Sequence, residues 1–310
     1  MLFSKAVEGY ILDISTNYSL GTVKLNGMCL RKLTEYLGDP ELDQITSTDL
    51  ARYMVFMRKD YVPRRYNGDK TPLSPSALDN HWKAIKSFFK WAENCLDAGR
   101  PDRNLQRPRF KLPEVSSFTK DEIKRIVTSS EWYMVKRGEH IIRAKRPKGA
   151  YCRALVLLLL DTGLRISEVG RLKIEDVDLK TGEILVSPFG SGQKTKPRTV
   201  YLGAVSRRAV WLHLAKAEYR PDDPLFSTDV TLLRDRVEEI GKRAGVTKCN
   251  PHRFRHTFAI EFLRAGGDPF SLKRLLGHST LEMVEHYLDL AKDDLRRTAA
   301  ASSPADKWKL

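Results

Sequence analysis

A basic stretch interrupted by prolines divides this chain into two parts. Residues 100–114 contain the segments Arg-Pro-Asp-Arg-Asn and Arg-Pro-Arg-Phe-Lys-Leu-Pro, and proline interrupts both helices and central strands. The chain has 310 residues, more than one hydrophobic core usually covers. We therefore expect two domains, residues 1–112 with the linker and residues 113–295. A flexible tail, residues 296–310, is expected to follow them, because it is rich in alanine and serine.

The first domain is expected to be helical. Apolar residues recur at helical spacing from Gly21 to Leu37, and Thr46 and Ser74 stand where helix N-caps are expected. Pro75 suits the first turn of the helix that Ser74 would cap. That predicted helix has one apolar stripe, made of Leu78, Trp82, Ile85, Phe88, Phe89, Ala92 and Leu96.

The second domain is expected to mix helices with a small sheet. Residues 119–122, Thr-Lys-Asp-Glu, have the capping-box pattern that begins a helix. Residues 151–171 predict a largely apolar helix, and residues 183–187 and 198–202 predict two strands joined by a polar hairpin. The pattern is then helical to about Leu295. The fold class predicted is therefore mainly α with a small β-sheet: a helical N-terminal domain and a mixed α/β second domain.

The charge balance favours a polyanionic partner. The formal net charge is +15 and the pI is about 9.6, which suits nucleic acid or an anionic membrane. Both parts are basic, with 17 Lys and Arg against 13 Asp and Glu in residues 1–110, and 37 against 26 in the remainder. Two basic lobes suit a duplex that lies between them.

A membrane role is not expected from this sequence. The chain start lacks the apolar region of a signal peptide. Its strongest apolar run, Ala154 to Leu160, is far shorter than the roughly 20 residues that span a bilayer. The cysteines show neither metal-ligand spacing nor a disulfide framework, which predicts reduced thiols in a cytoplasmic protein. They are Cys29, Cys95, Cys152 and Cys249.

Four short motifs of chemically active residues occur in order along the second domain. They are Thr162-Gly-Leu-Arg165-Ile-Ser-Glu168, Gly192-Gln-Lys194-Thr-Lys196-Pro-Arg198, Pro251-His252-Arg-Phe-Arg255-His256 and Leu275-Leu-Gly-His278-Ser. Tyr287 follows His278 by nine positions. Each motif alone is weak evidence, because any one of them arises by chance in many chains. A chance match to all four motifs in this order and at these spacings is improbable, so the complete set is strong evidence.

This set resembles the tyrosine recombinase, or phage integrase, family, which includes Xer, Cre and lambda-type integrases. The resemblance covers roughly residues 119–290, whereas the first domain resembles the family's core-binding domain only in size, helicity and charge. It implies an enzyme that cleaves and rejoins DNA through a covalent 3′-phosphotyrosine, with no cofactor and no metal. The roles implied are an arginine pair on the scissile phosphate (Arg165, Arg255), a supporting acid (Glu168), assisting histidines (His252, His278) and the nucleophile (Tyr287).

The chemistry of these residue types fits that role. A phosphodiester is anionic, and two guanidiniums can bind its nonbridging oxygens while staying charged. A tyrosine hydroxyl has a pKa near 10 and needs a nearby proton acceptor or cationic field, for which His252 is the expected assistant. His256 is expected to be structural and His286 to be a surface residue. His252 and His256 share a helical face that could meet a metal, but no third ligand is evident, so a metal is not expected.

The lysine that protonates the leaving 5′ oxygen is less clearly defined. Lys194 fits the Lys-Thr hairpin pattern, and Lys196 is an open alternative. Counted back from Tyr201, many family members have their lysine where Gln193 stands. Seven other basic residues are candidate DNA contacts, although a solvated surface explains the first three equally well. They are Lys83, Lys86, Lys90, Arg107, Arg109, Arg198 and Arg253.

The resemblance also implies an assembly. A tetramer would act on two DNA segments, with a monomer or dimer away from DNA, and the expected location is the cytoplasm, at the nucleoid, of a prokaryote or mobile element. No room is expected for an arm-binding domain, which favours a simple Xer-like or Cre-like member. A type IB topoisomerase and a non-catalytic DNA-binding protein are the alternative classes. Trp308 and Leu310, large apolar residues beyond a flexible segment, are expected either to dock on a neighbouring subunit or to fray.

Overall fold

The structure is a computed structural model that describes residues 1–65, 68–109, 116–137, 140–188, 197–215, 218–278, 280–290 and 308. The described residues fall into two compact units, residues 1–109 and residues from 116 onward. The domain boundary predicted near residue 112 lies outside the described residues, as does the predicted tail apart from Trp308.

The described part of the first unit is helical. Its α-helices are α1 (Phe3–Asn17), α2 (Leu20–Leu37), α3 (Ser47–Lys59) and α4 (Pro75–Leu96). The predicted caps at Thr46 and Ser74 are confirmed, since each side chain accepts a hydrogen bond from the first turn of its helix. Capping satisfies backbone donors that have no partner within the helix.

The core of the first unit forms around the apolar stripe of α4. Phe88 and Phe89 are fully buried, and the ring of Phe3 from α1 meets the edge of Phe88 with 5.1 Å between centroids. The buried Tyr10 packs on the same cluster and donates a hydrogen bond to Ser87 Oγ at 2.8 Å. Because aromatic rings bury large areas, this cluster accounts for much of the stability of the first unit.

The second unit is built around one buried helix. Its described helices are α5 (Lys120–Glu131), α6 (Gly149–Thr162), α7 (Ile166–Val169), α8 (Ala204–Leu214), α9 (Val230–Arg243), α10 (Pro251–Arg264), α11 (Pro269–Leu276) and α12 (Glu282–Leu290). The apolar run 154–159 of α6 is buried on all sides, against α5, α8 and α10. A helix that is apolar all round belongs at the centre of a domain.

Two antiparallel hairpins accompany these helices. Strands β3 (Glu183–Val186) and β4 (Arg198–Tyr201) are the predicted pair, with Ile184 opposite Val200 in the core. Strands β1 (Trp132–Arg137) and β2 (His140–Lys145) form a second hairpin that was not predicted. The predicted fold class, mainly α with a small β-sheet, is confirmed. No helix within the described ranges is long and apolar enough to cross a membrane.

Candidate active site

The five predicted catalytic residues with described positions come from four parts of the second unit. Arg165 stands at the N-cap of α7, His252 and Arg255 lie on α10, His278 follows the end of α11, and Tyr287 lies on α12. The two arginines act electrostatically on all three of the other side chains. The second unit thus brings together residues more than 120 positions apart in sequence.

Arg255 is buried, and its hydrogen-bond acceptors among the described residues are two main-chain carbonyls. Its Nη1 donates to the carbonyl of Gly163 at 2.8 Å, and its Nη2 donates to the carbonyl of Leu276 at 2.7 Å. These carbonyls lie at the C-terminal ends of α6 and α11, where helix dipoles concentrate partial negative charge. Burial, reinforced by Arg165, lowers the pKa of Arg255 to about 10, so the guanidinium remains protonated at neutral pH.

A turn at a glycine determines the direction of one of these carbonyls. Gly163 has a φ of +59°, and a Cβ at this position would lie 2.6 Å from a ring carbon of Phe258 and 2.9 Å from a methyl of Leu276. Only glycine combines a left-handed backbone with so close an approach. The Thr-Gly-Leu sequence before Arg165 therefore serves the geometry of Arg255.

Glu168 links the first arginine to the hairpin strand β4. Its buried carboxylate accepts hydrogen bonds from the backbone N–H and Nη1 of Arg165, at 2.8 and 3.3 Å, and from both terminal nitrogens of Arg198, at 3.1 and 2.8 Å. Burial opposes ionisation, yet these bonds and charges keep the pKa of Glu168 below its usual value. Glu168 is therefore an ionised, structural carboxylate beside the site.

Two of the predicted DNA contacts have largely buried side chains with partners inside the second unit. The side chain of Arg198 is only 6% exposed, and its Nε also donates to the carbonyl of Leu275 at 2.7 Å. Arg253 is 12% exposed, pairs with Glu122 at 2.9 Å and covers the ring of Phe118. Each charge therefore has a carboxylate partner inside the second unit.

The sequence could not reveal the partners of these two arginines. Glu168 lies 30 positions before Arg198, and Glu122 lies 131 positions before Arg253. A basic residue whose acidic partner is distant in sequence looks the same as a solvent-exposed one. Only the tertiary fold distinguishes the two cases.

The candidate DNA contacts of the first unit fall into two groups, those that pair with a buried acid and those that are exposed. Asp79, almost fully buried, pairs with Lys83 at 2.8 Å and with Arg107 at 2.7 Å. Lys86 donates to the carbonyl of Asp102 at 2.9 Å and also lies 3.4 Å from its carboxylate. These three cations therefore compensate buried acids. The two remaining candidates, Lys90 and Arg109, are exposed.

Tyr287 is a buried phenol, with 5% of its surface exposed. Its hydroxyl lies 2.9 Å from Nδ1 of His256, and its ring stacks on that of His278 at a centroid distance of 6.4 Å. Burial raises the pKa of Tyr287, and Arg255 and Arg165 oppose that rise. A histidine in hydrogen-bond contact with the hydroxyl is thus His256, which was predicted to be structural, whereas the expected assistant was His252.

The other two histidines differ in exposure. His278 is buried, and burial together with Arg255 and Arg165 lowers its pKa to about 4. Its Nδ1 has no hydrogen-bond partner among the described residues. His252, in the first turn of α10, is exposed, and its pKa is lowered by partial desolvation and by Arg255 and Arg165. Both imidazoles are therefore neutral at neutral pH.

Two of the predicted residues cannot be located. Lys194 and Lys196 lie outside the described residues, between β3 and β4 in the sequence. The described residues contain no group of three or more His, Cys, Asp or Glu side chains arranged to hold a metal ion.

Comparison with known proteins identifies the family. The family model described as "Phage integrase family" matches residues 117–294, more than half of the chain. The tyrosine recombinase XerC of Bacillus pumilus is 26% identical over 309 residues, covering 94% of this chain and 93% of that protein. The tyrosine recombinase XerA of Saccharolobus solfataricus is 25% identical, covering 93% and 89%.

The fold is also shared with solved structures. The Tn1549 transposon integrase, solved in complex with a circular intermediate DNA, superposes with a TM-score of 0.70 over 96% of this chain and 100% of that one, at 20% identity. The family indicated by the four sequence motifs is confirmed. This chain belongs to the phage integrase family and is a tyrosine recombinase, an enzyme that breaks and rejoins DNA strands through a tyrosine nucleophile.

Proposed function

We propose that Tyr287 is the nucleophile of this recombinase and that Arg165 and Arg255 bind the scissile phosphate. The observation that carries the proposal is electrostatic: the buried phenol lies in the field of both guanidiniums, which oppose the rise in its pKa. A field that favours a phenolate also favours an anionic phosphate at the same place. The guanidinium of Arg255 has N–H donors beyond the two that bind carbonyls, and these can meet the phosphate oxygens.

In the proposed reaction the oxygen of Tyr287 attacks the phosphorus of a DNA phosphodiester. A bond forms between phosphorus and the tyrosine oxygen, and the bond from phosphorus to the 5′ oxygen breaks. The strand is then held as a 3′-phosphotyrosine, and the free 5′-hydroxyl of a strand reverses the step. The bond energy is retained in the covalent link, so neither a nucleotide nor another cofactor is consumed. The arginines stabilise the negative charge that develops in the transition state.

Two proton transfers accompany this step. The phenol loses a proton, and His256 can accept it at Nδ1 when that nitrogen is unprotonated. His278, neutral at working pH, would donate a hydrogen bond to the phosphate, and His252 would assist from the exposed side. The departing 5′ oxygen gains a proton, for which we propose Lys194 on the basis of its motif, with Lys196 as the alternative.

We further propose that the enzyme recombines two duplex sites as a tetramer. The first unit, as a core-binding domain, would contact DNA through its exposed cations, Lys90 and Arg109 among them. Trp308 is 72% exposed, and we propose that it docks with Leu310 on a neighbouring protomer. The net charge of +15 fits a protein that works on nucleoid DNA in the cytoplasm.

Covalent capture of DNA tests the assignment of the nucleophile. Wild-type protein incubated with genomic DNA and then denatured is expected to carry covalently bound DNA, whose sequence gives the target site. A nicked suicide substrate made from that sequence should accumulate a covalent adduct with wild type but not with Tyr287→Phe. Tyr219→Phe, which removes the hydroxyl of an exposed tyrosine in the same unit, is the matched control. An adduct that persists in Tyr287→Phe would rule out Tyr287 as the nucleophile.

A further inference from the structure

The β1–β2 hairpin presents a face with an unusual composition. Cross-strand partners share a face of a hairpin, and alternate residues of a strand do so as well. The observed register pairs Trp132 with Lys145, Met134 with Arg143 and Lys136 with Ile141. One side of the hairpin, here called the ribbon face, therefore consists of these six residues, with three cations among three apolar side chains.

The ribbon face is open to solvent. Lys136, Arg143 and Lys145 are exposed, and Met134 and Ile141 are 65% and 67% exposed. The face itself contains no acidic residue. Its nearest described carboxylate contact is Glu131 at 3.9 Å from Lys145, the limit of an ion pair. A surplus of positive charge therefore remains on this surface.

The base of the hairpin is firmly attached to the core of the second unit. Nε of Arg146 donates to the carbonyls of Ser129 and Trp132, at 3.1 and 3.2 Å. The backbone N–H of Arg146 donates to the carbonyl of Glu131 at 2.8 Å. A Cβ at Gly149 would lie only 2.8 Å from the same carbonyl, so the chain after β2 passes very close to the end of α5. These contacts fix the direction of the hairpin relative to α5 and α6.

The side chains of the ribbon face are also ordered with respect to one another. The guanidinium of Arg143 lies 4.3 Å from the ring centroid of Trp132, and the ammonium of Lys145 lies 5.2 Å from it. Cation–π contacts favour side-chain conformations in which the two charges lie beside the tryptophan ring. Both cations are thus placed on the same side of the hairpin.

We propose that the ribbon face, whose six residues are not among the candidate active-site residues, binds duplex DNA. The inference rests on the proposed function, which makes duplex DNA the substrate. Its three cations would pair with phosphates, and a two-stranded ribbon has a width that fits the major groove. Met134 and Ile141 would contact base edges, where apolar side chains recognise thymine methyl groups. Exposed apolar residues on an uncovered hairpin are explained by a partner of this chemistry.

Salt dependence of binding tests this proposal. The variant K136Q/R143Q/K145Q and wild type, both in the Tyr287→Phe background, would be titrated with a fluorescein-labelled random-sequence duplex at a series of salt concentrations. The slope of log affinity against log salt should fall by about 2.7, since each phosphate contact contributes about 0.9. The control K124Q/K173Q/R264Q removes three cations that already pair with Asp121, Glu175 and Glu261. Its slope should equal that of wild type.

A second variant tests the apolar contacts. Met134→Ser with Ile141→Ser should weaken binding severalfold and leave the salt slope unchanged. An unchanged slope in K136Q/R143Q/K145Q would overturn the proposal, and so would loss of self-association in place of DNA affinity, which would identify a second copy as the occupant. Failure of the nucleophile assignment would appear instead as an adduct in Tyr287→Phe, with no bearing on these slopes.

Discussion

The hydroxyl of Tyr287 and Nδ1 of His256 are 2.9 Å apart, joining α12 to α10 by a hydrogen bond inside the second unit. His256 follows Arg255 directly in sequence, so one turn of α10 carries both the cation proposed to bind the phosphate and the contact to the proposed nucleophile. Any shift of α10 would therefore move both groups together.

His256 is expected to take part in activating Tyr287. His256→Ala should slow formation of the covalent adduct by about 10²-fold, within the range for a lost proton acceptor. His256→Asn retains a hydrogen-bond acceptor near the position of Nδ1 but cannot take up a proton, so it should recover stability and leave adduct formation slow, whereas His256→Gln should recover less stability. Single-turnover rates across a pH series provide the measurement. A purely structural role would lower the melting temperature of His256→Ala and leave its pH profile unchanged.

Arg255→Lys is expected to abolish cleavage although the substitution retains the positive charge. A lysine ammonium cannot reach the carbonyls of Gly163 and Leu276 with the spacing of a guanidinium fork. The buried carbonyl left without a donor should cost about 1–3 kcal/mol of stability. Adduct formation and urea unfolding would both be measured, with Arg264→Lys at the exposed end of α10 as control. Cleavage by Arg255→Lys at the wild-type rate would show that the two-pronged geometry of the guanidinium is not needed for the reaction.

Glu168→Gln should destabilise the second unit by about 3 kcal/mol, because it leaves Arg198 buried without a counter-charge. The pKa of Glu168 is depressed in the folded protein. Its ionised carboxylate therefore contributes fully to the free energy of unfolding above the pKa that Glu168 has in the unfolded chain, and this contribution is lost as the pH falls through its pKa in the folded protein. The difference in unfolding free energy between the variant and wild type should therefore shrink below about pH 4. Urea unfolding at several pH values measures it, with the exposed Glu175→Gln as control. A difference independent of pH would argue against an ionised Glu168.

His278 should make the second unit sensitive to mild acid. Its imidazole has a pKa of about 4 in the folded protein and 6.5 in the ordinary case, so between these values the unfolded chain binds more protons. Stability is then lost as pH falls from 6.5 towards 4, by about 2 kcal/mol at pH 5. His278→Asn should remove this loss, so the unfolding free energies of variant and wild type should converge between pH 7 and pH 5. Parallel curves would show that His278 is solvated and titrates normally.

The elements that the sequence could predict are those with local signals. The caps at Thr46 and Ser74, the stripe of α4 and the pair β3–β4 follow from spacing within a few residues. The β1–β2 hairpin was missed because each of its faces mixes polar and apolar residues, so neither strand alternates. The alternation that marks a strand reflects burial of one face, and the ribbon face is not buried.

The site was predictable in its residue types and not in its internal contacts. The order of the motifs led to Arg165, Arg255, His278 and Tyr287, which the second unit brings together. The contact of His256 with Tyr287, and the burial of Arg198 and Arg253, depend on partners 30 or more positions away. Such pairings are decided by helix packing, which no local pattern encodes.

The guanidinium of Arg255 is held by two main-chain carbonyls, and this has a consequence for how the protein can evolve. Every amino acid has a carbonyl, so a point mutation at position 276 changes a side chain and leaves the acceptor in place. The contacts of the guanidinium depend instead on the turns that orient these carbonyls. These turns contain Gly163 and Gly277, where φ is +59° and +65°. A side chain at Gly163 or Gly277 would strain these turns and shift the carbonyls that hold the arginine.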